Sequence, residues 1–180
     1  LFKGIPEPKN FRYGSENRFD RNASRAGANW EFLDALREKW KGNLIVKGIM
    51  DTDDASRVQN AGVDAIWVSN HGGRQLDSSP PALSALPKIR NTVGPNMPII
   101  FDSGARNGED VVKALALGAN FVMLGRPIMM ALAASSKKGL NDYLSLLKDE
   151  IGVVMAQLGI NDLEKISGDV LYDGISKNVR

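Results

Sequence analysis

The run Val68-Ser69-Asn70-His71-Gly72-Gly73-Arg74-Gln75-Leu76-Asp77 holds the only histidine of the 180-residue chain, three positions before an arginine. An imidazole titrates near neutrality, and a guanidinium grips a carboxylate with two parallel hydrogen bonds. Together they suit proton removal from a substrate that carries a carboxylate. The intervening Gly72 and Gly73 permit a tight turn and close approach of a ligand. Ala65-Ile66-Trp67-Val68 leads into the run and reads as a buried strand. The pair then sits at a strand's C-terminal end, where parallel α/β proteins place their chemistry. Taken alone, a single histidine there is more often a hydrogen-bonded structural group, with Arg74 in a surface ion pair.

Lys47 closes the apolar stretch Leu44-Ile45-Val46, and an ammonium buried without a partner is costly. Its partner is either a ligand at the strand's mouth or an acid of the chain such as Asp102. Further on, Ser103-Gly104-Ala105-Arg106-Asn107-Gly108 follows a third strand and opens a helix, and Gly125-Arg126 follows a fourth. Backbone N–H groups at helix starts, assisted by arginines, bind phosphate. One such loop would be read as a simple turn; two on successive strands favour a phosphate grip.

The elements that must carry these groups alternate. The spacing predicts helices over 28–40, 52–61, 81–93, 109–117 and 140–158, and strands over 44–48, 65–69, 98–102 and 121–124. The last helix has a broad apolar face expected to pack outside the sheet. Residues 1–27, broken by Pro6, Pro8 and Gly14, read as a loop. Short apolar strands with intervening helices imply a parallel sheet. A closed eight-stranded barrel needs about 250 residues, so the pattern is either an open four-stranded sheet or half a barrel.

With 23 basic and 21 acidic residues there is no charge field calling for nucleic acid. The absence of cysteine excludes disulfides and thiolate metal sites, and no metal is expected. No run approaches the ~20 apolar residues of a membrane span. Leu1-Phe2-Lys3 begins the chain without methionine, so a fragment or processed product is expected.

Lys47-Gly48, Ser69 to Asp77, Asp102-Ser103-Gly104-Ala105-Arg106, Lys113 to Ala119 and Gly125-Arg126-Pro127 occur in an order and spacing that resembles the FMN-dependent 2-hydroxy acid oxidases and dehydrogenases, which act on glycolate, lactate or mandelate. The resemblance implies a TIM (β/α)8 barrel of which only strands five to eight are present. Residues 1–27 would follow the fourth barrel strand, 28–166 would form the C-terminal half-barrel, and 167–180 a tail. It implies FMN as cofactor and oxidation of an (S)-2-hydroxy acid to a 2-keto acid. His71 would be the base, Arg74 the carboxylate ligand, and Lys47 the cation beside the reduced flavin. Ser69, Asp102, Gly104, Arg106, Gly125 and Arg126 would contribute to the FMN site. Departures from the family pattern are Asn107 for a basic residue and Ile128-Met129-Met130 and Ser135-Ser136-Lys137-Lys138 for the usual aromatic and glycine–glutamate residues.

The family takes an active-site tyrosine, a second substrate arginine and the aspartate partner of its histidine from an N-terminal half that has no counterpart here. The expected partners are therefore that half, in the same or a separate chain, and further copies in a homo-oligomer. A chain inactive without its complement is the second expectation. A non-redox phosphate-binding barrel, an isomerase or aldolase using Lys47, is the third. Location is open: cytoplasmic is favoured, with peripheral membrane or organellar placement as in some relatives.

Overall fold

A computed structural model of the chain describes residues 29–172; the expected loop over 1–27 lies outside them. Two compact units divide it, residues 1–39 and 40–180. The first contributes helix α1 (Trp30–Lys39), whose Phe32 N–H donates to Asn29 Oδ1 at 2.9 Å.

The second unit is built from repeated strand–helix pairs. β1 (Ile45–Ile49), α2 (Thr52–Asn60), β2 (Ala65–Val68), α3 (Ala82–Val93), β3 (Ile99–Phe101), α4 (Gly108–Ala116) and β4 (Phe121–Val122) precede a long bent helix, α5 (Arg126–Gln157). Asp51 caps α2 as its residue type predicts, accepting from Asp53 N and Asp54 N at 2.8 and 3.2 Å.

All strand pairs are parallel and the order is β1-β2-β3-β4. A doubly wound sheet would reverse its strand order at a switch point. Consecutive neighbours joined by right-handed crossovers instead place α2, α3 and α4 on one face. Val46, Ile66 and Ile99 share a register row on that face. Ile66, Val68, Ile99 and Phe101 are buried there with Val58 of α2, Leu86 and Ile89 of α3 and Val112 of α4. Each such side chain contributes roughly 1.5–3 kcal/mol.

The opposite row is Lys47, Trp67, Ile100, Phe121. This face stands open: Ile45, Phe121 and Met123 are 46%, 59% and 38% exposed. Helices on one side and an uncovered apolar face on the other are the geometry of four staves of a barrel, so the half-barrel expectation replaces the open sheet.

Two expectations about the last helix are corrected. It begins at Arg126, because Pro127 occupies its first turn and Ile128 to Ala134 already coil. A break at Ser135 and Ser136 separates this short arm from the long one. The long arm packs against α4 rather than lying on the sheet. The Gly108 N–H donates to Glu150 Oε2 at 2.8 Å, and a side chain at buried Gly108 would overlap the backbone of Glu150 and Ile151.

Candidate active site

The four strand ends bring Lys47, Ser69, Asp102, the His71 turn and Arg126 together. Lys47 leaves β1 on the open face, above its register neighbour Trp67, with its ammonium 4.6 Å from the centre of the ring. That distance is within cation–π range. Nζ donates to Ser69 Oγ at 2.6 Å and lies 3.0 Å from Asp102 Oδ2. Lys47 thus has its partners within the chain. Ser69, just past β2, is fully buried, the only buried polar residue among those described.

Asp102 follows β3 and holds its carboxyl below the ordinary aspartate pKa. Burial pushes upward as the largest single influence, but hydrogen bonds from Ser103, Ser69 and Lys47, with the charge of Lys47, together outweigh it.

The turn carrying His71 is wound the uncommon way. His71, Gly72 and Gly73 all have positive φ, at 57°, 70° and 73°. Glycine adopts this readily and histidine does not, so the turn needs anchors. The Asn70 side chain accepts from Gly72 N at 2.9 Å and Gly73 N at 3.2 Å, and donates to Pro80 O at 3.1 Å. The His71 N–H donates to Ser69 Oγ at 3.1 Å, and the Gly72 N–H to Ser103 Oγ at 3.0 Å. The imidazole itself hangs over β1. An ideal Cβ built at Gly48 would lie 2.9 Å from His71 Nε2.

Arg126 reaches back from the start of α5 and donates from a terminal nitrogen to Gly72 O at 3.0 Å. It lines a cavity of about 780 Å³ together with Arg106, Met130, Tyr143 and the two arms of α5. The hydroxyl of Tyr143 donates to Arg106 O at 2.9 Å. Burial, then the charges of Glu150 and Asp110, push its pKa upward and keep it a neutral donor.

The geometry brings Lys47, Ser69, Asp102 and the His71 turn together and joins Arg126 to that turn. The guanidinium groups of Arg74 and Arg106 have no partner among the described residues, and both side chains are exposed. Gly104 and Gly125 face open space.

The two loops read as a phosphate grip are not alike. At the start of α4, Asn107 accepts from Asp110 N, Asp110 from Arg106 N and Glu150 from Gly108 N, so these amides are taken by acids and an amide of the chain itself. At the start of α5, Gly125 supplies no side-chain cap and no acid lies in the first turn. The helix start that suits an anion is that of α5, flanked by Arg126 and Arg106, and the expectation for the α4 amides is corrected accordingly. A flavin mononucleotide fits this donor set: a phosphate for the α5 start, and a cation at Lys47 for a ring that becomes anionic on reduction.

Sequence reasoning missed Ser103, Trp67 and Arg90. Arg90 binds Gly94 O, Met97 O and Gly118 O and the Asn120 side chain at 2.6 to 2.9 Å, clamping the starts of β3 and β4. A lone helical arginine carries no local signal of that role.

Comparison with known proteins agrees with this architecture. Residues 6–173 match the model of the FMN-dependent dehydrogenases. The L-lactate dehydrogenase of Caulobacter sp. (strain K31) is 46% identical over 142 residues, which are 79% of this chain and 37% of the relative. The crystal structure of monotopic membrane protein (S)-mandelate dehydrogenase superposes with a TM-score of 0.78 at 43% identity, over 82% of this chain and 39% of that one. A mandelate oxidase crystallised with (S)-2-phenylpropionate gives 0.73 at 41% identity, over 76% of this chain and 41% of that one. The chain spans about two fifths of the length of these relatives. These matches account for the half-barrel and for FMN as the family's cofactor: the chain belongs to the FMN-dependent dehydrogenase family.

Proposed function

We propose that the chain carries one half of a site that oxidises an (S)-2-hydroxy acid to the 2-keto acid. The observation that supports this best is the meeting of Lys47, Asp102 and the His71 turn at successive strand ends. When bound, FMN supplies the acceptor for the two electrons of the reaction.

Every other part falls to residues of the chain. His71 takes a substrate proton at Nε2, over Gly48. Arg74, whose guanidinium has no partner among the described residues, holds the substrate carboxylate. Lys47 places a fixed positive charge where negative charge develops, and being already oriented by Ser69 and Asp102 it needs no reorganisation. Ser69 and Asp102 border the cofactor's ring and sugar chain. Arg106, Arg126, Gly104 and Gly125 surround its phosphate. The open apolar face of the sheet is covered by the N-terminal half of the barrel, in the same or another polypeptide. Without that cover the fragment lacks the groups that complete turnover.

Anaerobic absorbance of the protein with FMN, before and after adding lactate, glycolate or mandelate, tests this reading. Bleaching by one of them, with the N-terminal half present, is the expected result. Flavin that binds with that half present yet bleaches with none of the three overturns the redox assignment.

A further inference from the structure

We propose that Ser103 is a positioning residue: its hydroxyl ties the left-handed His71 turn to the Asp102 carboxylate, so that a charge on β3 sets the shape of a turn following β2.

The directions of the hydrogen bonds carry the argument. A serine hydroxyl has one proton to give and room to accept two, whereas an ionised carboxylate only accepts. Ser103 Oγ lies 2.6 Å from Asp102 Oδ1 and must donate there. It then accepts from the Gly72 N–H at 3.0 Å and, at 3.3 Å, from the Ser69 hydroxyl. Ser69, whose one proton points toward the pair formed by Ser103 Oγ and the Asp102 carboxylate, accepts from Lys47 Nζ and from the His71 N–H, at 2.6 and 3.1 Å. Every arrow runs toward Asp102. The two consecutive amides of the turn, at His71 and Gly72, therefore hang on two hydroxyls whose orientation is dictated by one carboxylate.

The backbone of Ser103 supports the same conclusion. Its φ is 78°, a conformation in which glycine would be at ease and serine is not. A residue chosen only to turn the chain here would be glycine. Serine at this strained place is explained by what its hydroxyl holds, the amide of Gly72 thirty-one residues earlier.

The test uses Ser103→Ala and Ser103→Gly. Both delete the hydroxyl, but glycine also removes the backbone strain, so a folded variant is secured. Because His71 is the only histidine of the chain, its ring Hε1 gives a single, unambiguous histidine proton NMR signal. In both variants that signal shifts or broadens and the Gly72 amide moves upfield, while the amides of Gly118 and Asn120 stay in place. In the FMN-loaded enzyme kcat/KM falls about tenfold, the loss of one hydrogen bond's worth of orientation. A Ser103→Gly protein that keeps the parent's His71 and Gly72 signals overturns the proposal. Its bearing on oxidation rests on the role given to His71, but the NMR arm does not. Altered signals in a protein whose flavin is never bleached would sink the oxidation and leave the tether. Bleaching in the parent with unaltered signals in the variants would sink the tether alone.

Discussion

Gly48 and His71 are fitted to each other: the glycine has φ of 98°, and the space its absent side chain leaves is filled by the imidazole. Gly48→Ala therefore meets two obstacles. The backbone conformation costs an L-residue about 1–2 kcal/mol, and the new methyl group would sit 2.9 Å from Nε2. The ring must move, and a displacement near 1 Å costs on the order of 100-fold in rate. Thermal melting together with turnover of the loaded enzyme checks both parts; a variant with parental turnover would place the base elsewhere.

Asp102 makes the fold sensitive to acid in a definite direction. Its folded pKa lies below the unfolded value of about 3.9, so the folded state favours the ionised form. The corresponding stability is fully present above that unfolded value and is lost as pH falls through the folded one. Asp102→Asn removes this dependence. Plotted against pH, the melting temperatures of parent and variant run parallel above about pH 5 and converge below it. Curves parallel at every pH would show that the carboxylate is unpaired in solution.

Lys47→Met removes the only cation bonded to Asp102 among the described residues and leaves Ser69 Oγ with one donor fewer. The Asp102 pKa rises and acid unfolding begins at a higher pH. The Trp67 ring also loses the charge above it, so its fluorescence changes. Parental emission and acid midpoint in the variant would count against the contact.

Arg90→Met leaves three backbone carbonyls and the Asn120 side chain without their shared donor. A loss of about 2–4 kcal/mol is expected, measured by urea unfolding. The His71 NMR signal stays unchanged, because the clamp lies at the strand starts.

Ser136 has φ of 47° and ψ of −135° at the break in α5, where only glycine is comfortable. Ser136→Gly raises stability by about 1 kcal/mol, visible as a higher melting temperature. A lower one would mean that the serine hydroxyl holds the bend.

The strands and most helices were legible because each strand is a short apolar run and each helix carries a local stop or cap, such as Asp51 or Gly94. The pairing of Lys47 with Asp102 was legible because both sit at strand ends, whereas Ser69 was singled out only through the family resemblance. The start of α5 was not, since the serine-lysine stretch at 135–138 reads as an interruption and hides the turn of helix before it. The occupied amides of α4 were also hidden, because one of their acceptors, Glu150, lies 42 residues downstream of Gly108. Ser103 read only as part of a phosphate-binding loop, since its contact with Gly72 exists only once two strands are paired.

The Arg90 clamp has an evolutionary corollary. It fastens the loops where β3 and β4 begin, whereas the groups proposed to meet substrate stand where the strands finish. Rigidity and reactivity are thus written at opposite poles of the molecule. On that proposal, a lineage can exchange residues around Arg74 to accept a new acid without loosening the fastening, and can retune heat tolerance without touching the strand ends.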